Sequence, residues 1–91
     1  MDNSLHLNIA AIIIRELKLQ GVTPETFDLE LDLVDELGID SMDMATVALV
    51  LQDEYNVVID EEDYGKLINL RLIAEYVAAR LAEQQQRAQG Q

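Results

Sequence analysis

Ninety-one residues are enough for one domain with one modest core, and a hydrophobic fraction of 49% can supply that core, which argues against global disorder. Eighteen acidic residues against six basic ones leave a formal net charge of −12, a field that repels phosphate backbones and anionic headgroups and so excludes nucleic acid and membrane surfaces as partners. The same field speeds encounters with proteins that carry basic patches, and like charge opposes self-association, so a monomer is expected. With no cysteine there is no disulfide framework, no thiolate nucleophile and no sulfur ligand for a metal.

The start, MDNS, lacks the basic region of a secretory signal. The longest stretch free of formal charge, Asn3 to Ile14, falls short of the ~20 apolar residues of a spanning helix. A small soluble protein of the cytoplasm is expected, with no membrane insertion. From Ser4 to Leu19 the pattern predicts a helix: Ser4 is a good N-cap type, and Leu5, Ile9, Ile13 and Leu17 recur along one face. Ile12-Ile13-Ile14 is too apolar for a single stripe, so this helix meets more than one neighbour. Gly21 and Pro24 are the expected stop.

Between Gln20 and Asp40 the signal weakens. Leu29, Leu31 and Leu33 alternate with Glu30 and Asp32 in strand fashion, but no second strand is available to pair with. The segment therefore reads as a long loop pinned by Phe27, Leu31, Leu33 and Val34, and loops of that length are often functional. Ser41 opens a second helix to about Glu54, with Ser41 as its expected N-cap and Val47, Leu51 and Tyr55 facing inward. A short helical piece runs from Asp60 to about Gly65. Asn69 caps the last helix, whose inner stripe is Leu70, Ile73, Val77 and Leu81. The predicted architecture is all-α: a four-helix bundle with three main helices, a short third one, and a long loop between the first two. The domain is expected over 1–82, followed by a flexible tail, 83–91, whose EQQQRAQGQ shows no apolar period.

Few residues could carry catalysis. Nucleophilic hydrolysis needs a base beside the nucleophile, and the only histidine, His6, sits in the first turn of the first helix. Asp60, Glu62 and Gly65 fit positions 1, 3 and 6 of a calcium loop, but Tyr64 and Arg71 then occupy positions 5 and 12, where ligands are required. No metal site is expected. GIDSMDM, Gly38 to Met44, is different: a serine between two aspartates, at a helix start and after a long loop, with its hydroxyl open to a docking enzyme. A generic cap accounts for the serine and one aspartate, but not for Glu36-Leu37-Gly38 upstream or for the place of Ser41 after a long loop. Helix N-termini also attract phosphate, so a phosphodiester on Ser41 would sit favourably there.

The run Glu36-Leu37-Gly38-Ile39-Asp40-Ser41-Met42-Asp43 resembles the signature of the acyl carrier proteins, and the likeness continues through Asp53-Glu54-Tyr55, Val58 to Glu62 and Asn69 to Leu81. That resemblance implies a carrier rather than an enzyme. A phosphopantetheinyl transferase would move 4′-phosphopantetheine from coenzyme A onto Ser41, and the arm's thiol would carry acyl groups as thioesters. It implies docking points at Asp40, Met42, Asp43, Leu49, Asp53, Glu54 and Ile59. The expected acyl pocket is lined by Leu33, Val34, Ala48, Leu51, Tyr64 and Leu67. Implied partners are acyl ligases or acyltransferases, ketosynthases and other acyl-thioester enzymes with basic patches.

Thr46 and Gln52 stand where acids are common in the fatty-acid-synthesis members, and Tyr64 where a small residue is common. The resemblance implies fatty-acid, polyketide or specialised lipid biosynthesis. These departures point to a specialised carrier of a polyketide, modified-lipid or aminoacyl pathway rather than the housekeeping one of fatty-acid synthesis. Two alternatives remain open at this point: an aminoacyl or peptidyl carrier of the D-alanyl kind, and an unmodified acidic adaptor.

Overall fold

The computed structural model describes residues 4–89, with side chains described to residue 84. It is all-helical among the described residues, in the order α1 (Ser4–Leu17), α2 (Leu33–Leu37), α3 (Ser41–Tyr55), a 3-10 helix (Glu61–Lys66) and α4 (Leu70–Gln89). Helix α1 packs on both α3 and α4, which explains its wide apolar band: Ile9, Ala10, Ile12 and Ile13 are all buried. The helix stops short of the expected Gly21. Lys18 adopts the left-handed conformation (φ 56°), and the Leu19 N–H turns back to Ile14 O at 3.0 Å.

The long loop carries an unexpected turn of helix, α2. Asp32 Oδ1 caps it, accepting from the N–H groups of Val34 and Asp35 at 3.0 and 2.9 Å. Gly38 ends it in the left-handed region (φ 68°), its N–H donating to Val34 O while Ile39 N–H reaches Leu33 O. The loop is tied to the start of α4 by its backbone. Leu33 N–H donates to Ile68 O at 2.9 Å and Arg71 N–H to Leu29 O at 3.2 Å, and the Arg71 guanidinium pairs with Glu30 at 2.8 Å. Leu29 and Leu33 are thus fixed to another segment without forming a strand.

Seven large side chains are fully buried where the layers meet: Ile9, Ile13, Leu33, Leu51, Leu70, Ile73 and Val77. Each contributes about 1.5–3 kcal/mol relative to exposure. Asn69, buried, accepts from Leu72 N–H at 2.9 Å and caps α4 as the sequence predicts. The helix itself runs on to Gln89, so the expected 82/83 boundary falls inside α4. Ala82 to Gln89 are mostly strong helix formers, which propagate a helix without an apolar stripe. Of the tail expected over 83–91, Gly90 and Gln91 lie outside the described residues.

Candidate functional site

The start of α3 is built by a reciprocal pair. Asp40, with extended backbone, accepts from Asp43 N–H at 2.9 Å, and the Asp43 carboxylate accepts in return from Asp40 N–H at 3.4 Å. The cap is therefore Asp40, which corrects the expectation that Ser41 fills that role. The reason is spacing: a capping box needs an acceptor three residues on, and Asp43 stands three from Asp40, whereas Met44 stands three from Ser41. Ser41 becomes the first helical residue. It is exposed, and its hydroxyl makes no hydrogen bond among the described residues.

The backbone N–H groups of Ser41 and Met42 precede any intrahelical acceptor and, unlike those of Asp40 and Asp43, are not satisfied by the box. Hydroxyl and free amides together present donors at the positive end of a 15-residue helix, a setting that favours an anionic oxygen group.

Beside Ser41 opens a groove of about 370 Å³. Its apolar wall is Val34, Ile39, Met44, Tyr64, Leu67 and Ile68, and its rim is Asp32, Asp35 and Asp40. Of the six residues expected to line a pocket, Val34, Tyr64 and Leu67 do so. Leu33, Ala48 and Leu51 do not: all three are buried in the core, on the other side of the wall. Residues 33 and 34 are neighbours on one helical turn, and only Val34, 55% exposed, faces the groove. Ile39, Met44, Gly65 and Ile68 are groove residues the sequence reading missed. Met44 was within reach of pattern reasoning, since positions three apart share a helix face with Ser41.

The expected docking residues divide as well. Met42 and Leu49 are 77% and 61% exposed on α3, with the exposed acids Asp53 and Glu54 near its C-terminal end. Ile59 does not belong with them. It is only 3% exposed, and its N–H is held by Gln52 Oε1 at 2.8 Å. In the extended run Val57, Val58, Ile59, the first and third side chains turn inward and the second outward, so Val58 occupies the surface. Gln52, where an acid was expected, thus serves as a buried backbone's partner. Thr46 turns its hydroxyl back to Met42 O at 3.1 Å.

Among the described residues no group of three or more His, Asp or Glu side chains is placed to hold a metal, and no helix is long and apolar enough to cross a membrane.

A family model described as "Phosphopantetheine attachment site" matches residues 8–77. The chain is 30% identical over 74 residues to the acyl carrier protein of Bdellovibrio bacteriovorus, covering 81% of this chain and 91% of that one. It is 35% identical over 60 residues to the acyl carrier protein of Desulforapulum autotrophicum, covering 66% and 78%. With that of Nitratidesulfovibrio vulgaris the identity is 31% over 58 residues, covering 64% and 76%.

Proposed function

Because the chain belongs to the acyl carrier protein family and contains its phosphopantetheine-attachment domain, we propose that Ser41 is the residue that bears the 4′-phosphopantetheine arm, and that the groove beside it shelters the cargo. When attached, the arm supplies a terminal thiol that holds an acyl group as a thioester. The observation that carries the assignment is the free, exposed hydroxyl at the first position of α3. The Asp40–Asp43 box ties up the two acids and leaves the serine oxygen to accept a phosphoryl group. The amides of Ser41 and Met42 then favour the negative phosphodiester. An apolar wall suits an acyl chain better than an amino acid, whose ammonium group would have to be desolvated there.

The partners are a phosphopantetheinyl transferase and enzymes of fatty-acid, polyketide or specialised lipid synthesis that handle acyl thioesters. Basic side chains on them would meet Asp53, Glu54 and the exposed edges of Asp40 and Asp43, with Met42 and Leu49 as apolar contacts between. Exposed pairs of this kind contribute about 0.2–1 kcal/mol each, so they steer encounter more than they hold the complex.

The test is an intact mass after incubation with coenzyme A and a broad-specificity phosphopantetheinyl transferase, with Ser41→Ala as control. One added phosphopantetheinyl group, absent from the control, is the expected result. Loading of the product by fatty acyl ligases, and not by aminoacyl ligases, then fixes the cargo class. No mass gain with several transferases would instead favour an unmodified adaptor.

A further inference from the structure

The 3-10 helix forms one side of the groove through Tyr64 and Gly65, yet none of its six residues is buried. What fastens its other side is polar. Tyr76, on α4, donates its hydroxyl to Asp63 Oδ2 at 2.6 Å, and that carboxylate is 14% exposed. The same phenolic oxygen accepts from Arg80 Nη2 at 2.8 Å and from the backbone N–H of Asp60 at 3.4 Å. Arg80 also pairs with Asp60 at 3.2 Å and lies 4.9 Å above the Tyr76 ring centre. One phenol therefore gathers two points of the segment that leads into Tyr64: Asp60 before the helix and Asp63 within it.

We infer that Tyr76, supported by Arg80, is a positioning residue that holds the 3-10 helix as a hinged wall, and that this network sets the width of the groove open to cargo. Asp63 and Tyr64 are adjacent, so moving one off α4 moves the other relative to Val34 and Ile68 across the groove. Buried Ile59 and Leu67 fix the two flanks of the segment and Tyr64 packs partly on the core, so the polar side between them is the part that can open. Opening there has a modest cost, because water replaces the lost hydrogen-bond partners. The role in cargo selection rests on the carrier function proposed above; the hinge itself does not.

The experiment is amide hydrogen exchange on the unmodified protein. Tyr76→Phe should speed exchange over residues 63–68 by about tenfold or more, the loss expected when a hydrogen bond to a charged group is removed, while the amides of Ile13 and Ile73 stay within about twofold. Asp63→Asn, which removes the charge that Tyr76 and Lys66 both meet, should speed the same residues at least as much, whereas Arg71→Gln, which breaks pairs outside the network, should leave residues 63–68 alone. After loading, the tetradecanoyl thioester of Tyr76→Phe should be cleaved by hydroxylamine about threefold more slowly than that of the wild type, because the wider groove admits more of the chain, and the hexanoyl thioester equally fast in both.

Equal acceleration of the core amides, or none at residues 63–68, overturns the hinge. Unchanged cleavage of both thioesters overturns its control of cargo. Failure to load Ser41 at all counts against the carrier function alone, since the exchange result stands without it.

Discussion

Asp40 and Asp43 satisfy each other's backbone N–H across the first turn of α3 and leave Ser41, between them, with a hydroxyl committed to nothing. A serine that served as the cap would lose its structural bond on being modified. Here the proposed modification would leave the cap in place.

Stability and modification should therefore separate. Ser41→Ala is expected to lie within about 0.5 kcal/mol of the wild type, as for a surface substitution, and to abolish the mass gain. Asp40→Ala removes the cap and should cost about 0.5–2 kcal/mol. Urea denaturation of the two variants checks the order, and a larger loss for Ser41→Ala would contradict the cap assignment.

Gln52 should matter to folding rather than docking. Its Oε1 is the acceptor for Ile59 N–H, in a residue that is itself buried. Gln52→Ala leaves that donor unpaired and should cost about 1–3 kcal/mol. Gln52→Glu keeps an acceptor and should lose less. Thermal or urea unfolding of both variants would show whether the predicted order holds.

The start of α2 and that of α3 show what could be read from residue order and what could not. The amphipathic stripes, Asn69 as a cap and the all-helical class follow from apolar spacing, because helix packing rewards a local period. Asp32 and Gly38 are also local signals, a cap and a left-handed stop around Leu33 to Leu37, but the reading of this stretch as a long loop passed over them. The Asp40–Asp43 box was equally legible in spacing. Gln52 was not: its partner lies seven residues on, beyond the end of its helix, and only the turn at Asn56 (φ 56°) brings Ile59 back to it. Nor could period alone divide Leu33 from Val34, since which of two adjacent apolar residues meets the groove depends on where α4 and the loop cross.

Acid should weaken the wall of the groove. The hydrogen bond from Tyr76, then the contact with Lys66, hold the Asp63 carboxyl below its ordinary value of 3.8. A carboxyl lowered in the folded state stabilises it above the unfolded value, and that contribution is lost as pH falls through the folded value. Asp63→Asn should thus be less stable than wild type near neutrality, and the gap should narrow below about pH 4. Urea midpoints of both proteins across that range test it; a constant gap would speak against the coupling.

Tyr55 carries the reverse situation. Its hydroxyl is buried without a hydrogen-bond partner among the described residues. Burial pushes its pKa up, and Asn8 opposes part of the shift without meeting hydrogen-bond geometry. Tyr55→Phe discards an unpaired polar atom and keeps the ring, so stability should be unchanged or raised by up to about 1 kcal/mol. A loss in urea unfolding would mean that the hydroxyl has a partner in solution.

The wall that divides Leu33, Ala48 and Leu51 from Val34, Tyr64 and Ile68 has a practical meaning for redesign. The first set holds the helices together, whereas the second lines a groove open at the surface, with Tyr64 also packed against the core. Volume added or removed at the exposed positions Val34 and Ile68 falls on space already open to solvent, so it creates no sealed void and no overpacked layer. Under the proposed carrier function, those two positions are where the groove can be reshaped one residue at a time, without a compensating change in the fold that presents it.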